Sequence, residues 1–118
     1  MESKELLKIA VNALSSKKAK NMEIIKVGDL TVVADYFLIA SGSSSTQVKA
    51  LADEVEHKLS EKGDAPKRTE GYKGANWIVL DYIDVVVHIF HQETREFYDL
   101  ERLWQDGEFI NPEEFLNQ

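Results

Sequence analysis

The chain has 118 residues, of which 43% are hydrophobic and 30% are charged, so it can form one ordinary domain with its own core. A formal net charge of -7 opposes binding to RNA or DNA, because affinity for a phosphate backbone comes mainly from lysine and arginine. The absence of cysteine excludes disulfides, thiolate catalysis and cysteine-rich metal sites.

The sequence also argues against a membrane protein. No segment approaches the roughly 18 consecutive apolar residues of a membrane span. The first turns carry Glu2, Lys4, Glu5 and Lys8, which is unlike a secretory signal. We therefore expect a cytoplasmic protein. The acidic balance predicts that any partner is a protein with a basic surface, or else it serves only to keep the protein soluble.

Hydrophobic periodicity predicts a helix, two strands and a second helix in the first half of the chain. Ser3 suits the N-cap of the first helix, and Gly63 suits a left-handed turn that ends the second. The second helix has the clearer apolar stripe, which consists of Val48, Leu51, Ala52, Val55 and Leu59. The predicted bounds are a helix over 3–19, strands over 22–27 and 36–41, and a helix over 44–62.

Three strands and one helix are predicted in the second half. Residues 85–90 are apolar on both parities, which is typical of a strand in the middle of a sheet covered by helices on both sides. The predicted bounds are strands over 67–72, 77–82 and 85–90, a helix over 94–104, and a polar tail over 105–118 with one marginal turn at 111–115. This order predicts an α/β, three-layer domain with a mixed, roughly five-stranded sheet flanked by helices.

The Gly/Ser turn at residues 40–47 lies between a strand and a helix, where many phosphate sites are built. It contains one glycine, Gly42, and no lysine before Lys49, so neither the P-loop pattern nor the three-glycine dinucleotide pattern is present. Ser44 and Gln47 instead stand in the S-x-x-Q relation of a capping box. The pattern favours helix capping over ligand binding.

Metal and catalytic sites find little support. Asp81 and Asp84 are three residues apart across a turn, so they cannot share one strand face as paired metal-binding carboxylates do. His88 and His91 point to opposite faces of a strand, and no cysteine or third nearby histidine completes a zinc site. We predict no catalytic residues, no metal and no cofactor.

Three blocks of sequence together resemble the ribosomal silencing factor family, which is also called the Iojap family. They are ADYFLIASGSSS at 34–45 with QV at 47–48 and AD at 52–53; EG at 70–71 with WIVLD at 77–81; and DVVVHIF at 84–90 with REFYDLE at 95–101 and LW at 103–104. The resemblance covers roughly residues 3–104, which implies a silencing-factor domain over 1–104 and a polar tail over 105–118. The family usually has glycine where this chain has Ile83, so the connection between these two strands need not follow the family's turn.

The resemblance implies a translation repressor that is not an enzyme. Such a protein binds the large ribosomal subunit through ribosomal protein number fourteen on the intersubunit face and blocks joining of the small subunit. The family's fold is similar to a nucleotidyltransferase core without its active site, and its members are commonly homodimers when free. The alternative is a nucleotide-binding or nucleotidyltransferase-like enzyme, which the turn at Gly42 suggests.

Trp77, Val79 and Asp81 share one face of a predicted strand and would form a binding patch with an apolar centre and an acidic rim. Trp77 could equally be a core residue. Further partner-binding candidates follow from the family match alone: His88, Glu93, Tyr98 and Glu101.

Overall fold

A six-stranded mixed sheet runs through the centre of the computed structural model, which describes residues 1–116. The helices are α1 (Ser3–Ser16), α2 (Ser45–Ser60), α3 (Gln92–Tyr98) and α4 (Leu100–Leu103), followed by a 3₁₀ helix (Pro112–Phe115). The strands are β1 (Lys20–Lys26), β2 (Tyr36–Gly42), β3 (Arg68–Glu70), β4 (Trp77–Asp81), β5 (Val85–His91) and β6 (Glu108–Ile110).

The strand order is β3-β4-β5-β2-β1-β6. β2 and β5 pair in parallel at the centre, from Tyr36 opposite Val85 to Gly42 opposite His91, and the neighbouring pairs are antiparallel. All of β2 is buried, as is β5 up to its last residue. The prediction that residues 85–90 lie in the middle of the sheet is confirmed.

Two hydrophobic cores lie on opposite faces of the sheet. α1 and α2 cover the first face, and the predicted apolar stripe of α2 is buried there. On the second face, Phe37 and Phe90 of the central strands form a core with Leu100 of α4 and with Trp104, whose ring meets that of Phe37 edge to face at 5.2 Å. The predicted three-layer α/β arrangement is therefore confirmed.

The single helix predicted over 94–104 is wrong. α3 and α4 are separated by Asp99, whose φ of 47° lies in the left-handed region that aspartate tolerates better than most residues. The break has a packing reason: it turns Leu100 onto the sheet while Phe97 remains 81% exposed. A straight helix would carry both residues on one side.

The sheet has six strands rather than five because part of the predicted polar tail joins it. β6 pairs antiparallel with β1, with Ile110 opposite Ile24, and its three residues are too few to give a strand pattern in the sequence. The marginal turn predicted at 111–115 is confirmed as the 3₁₀ helix, whose Phe115 carbonyl accepts a bond from the Asn12 side chain at 2.8 Å. Residues 117 and 118 of the predicted tail lie outside the described residues.

The Gly/Ser turn caps α2, as the sequence favoured. The Ser44 hydroxyl accepts from the Gln47 backbone N–H at 3.1 Å. The Gln47 side-chain oxygen accepts from the Ser43 backbone N–H at 2.7 Å, one residue earlier than a standard capping box places that bond. The Ser3 prediction was wrong: Glu2 holds the N-cap position of α1, and its side chain makes no capping bond.

The connection between β4 and β5 departs from ordinary backbone geometry at Ile83, whose φ is 76°. The Asp84 N–H donates to the Tyr82 carbonyl at 3.0 Å, which closes a γ-turn around Ile83. The Asp81 carboxylate accepts from the Ile83 N–H at 2.8 Å and holds the turn in place. A positive φ is unfavourable for a β-branched residue, so this exposed isoleucine is strained.

Replacing Ile83 with glycine should therefore stabilise the protein. Removing the strained left-handed conformation should stabilise the folded protein by about 1–2 kcal/mol. The greater conformational entropy of glycine in the unfolded chain should offset part of this gain. We expect a net gain of about 1 kcal/mol and a rise in Tm of roughly 4 °C, measured by circular dichroism melting.

Asp84→Gly is the matched control, because the φ of Asp84 is not positive and glycine there should only add unfolded-state entropy. We expect this control to lower the Tm. An Ile83→Gly variant that melts at or below the wild-type temperature would contradict the strain at residue 83.

Candidate protein-binding face

Five side chains of β4 and β5 lie together on the side of the sheet opposite α1 and α2. The antiparallel register sets Val79 opposite His88 and Asp81 opposite Val86, with Trp77 two residues further along the same side of β4. We call these residues (Trp77, Val79, Asp81, Val86 and His88) the β4–β5 face. The structure thus brings together four of the predicted partner-binding residues and adds Val86.

Trp77 is partly packed and partly accessible. Its indole stacks on Phe90 with ring centroids 4.8 Å apart, and it lies 4.9 Å from the ring of Tyr98. The indole Nε1–H donates to Nδ1 of His88 at 3.1 Å. Trp77 is thus anchored by core contacts and still presents surface beside the exposed Tyr98, and its role in partner binding stays a prediction.

His88 is buried, with 7% of its surface exposed. Its ring is packed between Trp77 and Phe37, the latter edge to face at 4.9 Å. Burial lowers the pKa of His88 to about 4, although the Asp81 carboxylate acts in the opposite direction. The imidazole is therefore neutral at physiological pH. Because Nδ1 accepts from Trp77, the proton lies on Nε2, which is buried and has no hydrogen-bond partner.

The Asp81 carboxylate makes two interactions, one within the turn between β4 and β5 and one with an exposed side chain. One carboxylate oxygen holds the Ile83 N–H, and the other lies 3.4 Å from the Arg68 guanidinium. The Arg68 side chain is 70% exposed, so the attraction is screened by solvent and contributes little to stability. Asp81 can thus exchange Arg68 for a cation of a partner at small cost.

A groove of about 190 Å³ runs along the β4–β5 face. Its floor and walls are mostly apolar, and its rim carries two carboxylates and one guanidinium. The groove is lined by Val33, Phe37, Arg68, Glu70, Val79, Asp81, Val86 and His88. Val33, Phe37, Arg68 and Glu70 were not predicted as site residues, because they come from other strands and a loop whose positions depend on the strand order. Val86 was also missed, although it lies on β5 two residues from His88.

Exposed apolar side chains flank the face at both ends. Near the start of β5 these are Val32, Val33 and Ile83, which are 104%, 67% and 56% exposed. Near the end of β5 they are Phe97 and Tyr98 of α3, at 81% and 51%. Clusters of exposed apolar residues around a groove mark surfaces that bind other proteins.

The remaining predicted partner residues lie elsewhere. Glu93 is exposed in the first turn of α3, where its backbone N–H donates to the His91 ring at 3.4 Å. Glu101 pairs with Arg95 at 3.1 Å, and Arg95 also donates to the Ser41 hydroxyl at 2.7 Å. This buried clamp ties α3 and α4 to the end of β2. Sequence reasoning missed it, since an arginine on a helix is usually exposed.

Residues 1–116 contain no group of three or more histidine, aspartate or glutamate side chains placed to hold a metal ion. Asp81 is engaged by Ile83 and Arg68, and His91 faces away from His88 and caps α3. No helix in this part of the chain has the length and apolar character required to cross a bilayer.

Titration of His88 should couple unfolding to pH. In the unfolded chain its pKa has the ordinary value of about 6.5, whereas in the folded protein it is about 4. Between these values the unfolded state binds a proton that the folded state does not. The free energy of unfolding should fall by about 3 kcal/mol as the pH drops through that window, with no contribution from this group above it. Urea denaturation at several pH values measures the slope.

His88→Asn keeps an acceptor for the Trp77 N–H and removes the titrating group. The difference in free energy of unfolding between wild type and His88→Asn should therefore change with pH, while carboxylates common to both proteins cancel. Parallel curves for the two proteins would show that His88 is not held neutral by the fold.

Arg95→Ala should destabilise the protein, because it leaves the charge of Glu101 half-buried without its partner. We expect a loss of about 3 kcal/mol and a fall in Tm of roughly 10 °C. Adding Glu101→Gln to this variant should recover part of the loss. Arg102→Ala removes an exposed arginine of the same helix region and should leave the Tm nearly unchanged. Equal melting of the two arginine variants would contradict a structural role for the clamp.

Comparison with known proteins gives a consistent result over the whole chain. A family model described as "Ribosomal silencing factor during starvation" matches residues 1–118. The ribosomal silencing factor RsfS of Halalkalibacterium halodurans is 42% identical over 113 residues, which cover 96% of this chain and 97% of that protein. A more distant relative, the mouse protein named "Mitochondrial assembly of ribosomal large subunit protein 1", is 31% identical over 97 residues, or 80% of this chain and 42% of that protein.

The fold is also similar to a solved structure. A crystal structure of a Chromobacterium violaceum protein superimposes with a TM-score of 0.86 at 38% sequence identity, covering 89% of this chain and 88% of that one. The likeness therefore extends from the sequence blocks to the arrangement of the sheet and helices.

Proposed function

We propose, because this chain belongs to the ribosomal silencing factor family, that it represses translation by binding the large ribosomal subunit and blocking its union with the small subunit. Family membership makes it a ribosome-associated regulator of translation. The name of the mouse relative, which refers to the large ribosomal subunit, supports that subunit as the binding target. The contact is made through ribosomal protein number fourteen on the intersubunit face.

The observation that carries this proposal is the β4–β5 face. Its groove has an apolar floor, its rim has the carboxylates of Asp81 and Glu70, and the partly buried Trp77 lies beside it. Interfaces take most of their energy from a few aromatic or arginine anchors, with charged residues around them. A basic ribosomal protein complements such a face. An acidic domain with a net charge of -7 is not suited to bind ribosomal RNA directly.

Repression on this proposal is steric. A bound domain with a radius of gyration of 12.8 Å occupies the subunit interface and needs no chemical step, cofactor or metal. The free protein is a homodimer in the cytoplasm. The exposed Val32, Ile83 and Phe97 at the two ends of the face support dimerisation, since a second copy would cover apolar surface.

The nucleotide-binding alternative loses its main support. The turn at Gly42 suggested a phosphate site, but the Ser43 N–H and the Ser44 hydroxyl are used within the turn by Gln47. Titration with ATP, GTP and CTP in the presence of magnesium, followed by tryptophan fluorescence, tests the alternative directly. Saturable binding at micromolar nucleotide would revive it.

The combined variant Trp77→Ala/Asp81→Lys should abolish binding to the large subunit. Loss of the indole removes an anchor of typically about 2 kcal/mol, and the new lysine repels a basic partner. Together these should weaken binding by roughly a hundredfold or more. Co-sedimentation with purified large subunits at moderate salt, and pull-down with the purified ribosomal protein, measure the loss.

Glu54→Lys is the matched control, since it makes the same charge change on α2, on the other side of the sheet. It should bind like the wild type. Asp81→Asn refines the test, because its side-chain oxygen can still hold the Ile83 N–H while the charge is gone. Circular dichroism melting shows which variants are folded. A folded Trp77→Ala/Asp81→Lys variant that pellets with large subunits like the wild type would refute this face as the binding site.

A further inference from the structure

His88 leaves a buried donor without an acceptor. The ring is neutral, and one of its nitrogens accepts the indole N–H of Trp77 at 3.1 Å. The other nitrogen, Nε2, carries the proton, lies out of contact with solvent and has no partner among the described residues. Whichever ring nitrogen faces Trp77, a neutral imidazole keeps one N–H to donate. An unpaired buried donor is costly, so its retention in a folded domain calls for an explanation.

The position of His88 supplies an explanation for this unpaired donor. Its ring lines the groove of the β4–β5 face together with Val79 and Val86. Because Nδ1 is turned toward Trp77, Nε2 lies on the far side of the ring from the indole. The same groove has Asp81 and Glu70 at its rim. The residue with the unsatisfied donor, the apolar walls and the negative rim thus line one cavity.

We propose that the His88 N–H is a recognition donor: a segment of the protein partner inserts an uncharged acceptor oxygen into the groove, while a neighbouring basic residue of the same segment meets Asp81 and Glu70. This inference rests on the proposed function and specifies what the partner presents. The acceptor is a main-chain carbonyl or the side-chain oxygen of an amide or hydroxyl residue.

The chemistry of the groove selects against other occupants. A lysine or arginine head at the floor would set donor against donor at His88. A carboxylate would meet the two carboxylates of Asp81 and Glu70, of which Arg68 neutralises only one. A purely apolar side chain would leave the His88 donor unpaired, as it is in the free protein, and so would gain no hydrogen bond there. An uncharged acceptor beside a cation satisfies the His88 donor and complements the carboxylates of Asp81 and Glu70.

Docking must open the groove slightly, because Nε2 is covered in the free protein. Val33 is the wall best placed to move. It lies in the connection between β1 and β2 and is 67% exposed, whereas Phe37 and Val86 are each 6% exposed. His88 itself is held by its hydrogen bond with Trp77, so its N–H keeps its direction when Val33 moves.

Two substitutions separate this role from packing. The asparagine amide lies where Nδ1 lies in histidine, so His88→Asn can accept from Trp77 but offers nothing at the Nε2 position. The glutamine amide reaches the Nε2 position, so His88→Gln restores a donor there. We expect His88→Asn to bind purified large subunits about tenfold more weakly than the wild type, and His88→Gln to recover most of that loss.

The histidine ring of the wild-type protein gives a second readout that needs no variant. In nitrogen-15 NMR spectra the free protein should show the neutral ring with its proton on Nε2. Addition of purified ribosomal protein fourteen should shift that proton downfield and slow its exchange with water, as a new hydrogen bond requires. A purely structural histidine would leave this resonance where it was.

The outcomes distinguish the two levels of proposal. Wild-type protein that fails to sediment with large subunits overturns the proposed function and this inference together. Wild-type protein that binds, with a folded His88→Asn that binds equally well, overturns the recognition donor alone. If His88→Asn does not fold, the NMR result decides: an unshifted Nε2 proton in the complex refutes the inference, and a shifted one supports it.

Discussion

The parallel pairing of β2 with β5 is the constraint on which the other features depend. Both strands are buried on both faces, so each face needs a covering layer and the pair must lie in the middle of the sheet. The register, with Phe37 beside Val86 and Ile39 beside His88, decides which side chains look toward α1 and α2. Everything on the β4–β5 face follows from this register and from the antiparallel pairing of β4 with β5.

The two covering layers are unequal, and the inequality leaves part of the second face open. α1 and α2 close the first face along the length of the sheet. The second face is covered at one end by Leu100 and Trp104, which the break at Asp99 turns inward, and the Arg95 clamp fixes this arrangement to Ser41. The groove beside β3 stays open. A continuous helix in place of α3 and α4 would have packed differently against the sheet.

Much of the architecture could be predicted from the sequence, because the signals were local. Three predictions depend only on neighbouring residues: that Trp77, Val79 and Asp81 share one face of a strand, that β5 is buried, and that Ser44 caps α2. The groove could not be predicted, since Phe37, Arg68 and Val33 join it only through the strand order. The strand β6 and the break at Asp99 could not be predicted for a related reason. Both depend on packing against elements distant in the sequence, and this packing overrides the weak local preferences of the residues.

Charge and the buried donor would act over different distances in recognition. At physiological salt the Debye length is about 8 Å, so most of the net charge of -7 is screened from a partner until contact is near. The acidic surface can speed encounter with a basic protein, yet by itself it would accept any basic protein. On the proposed arrangement, discrimination comes from inside the groove. A segment with a correctly placed acceptor would gain a hydrogen bond to the His88 N–H, which is unpaired in the free protein, whereas a segment without one would gain only the attraction of the rim. On this proposal the buried donor supplies the selectivity that an acidic face lacks.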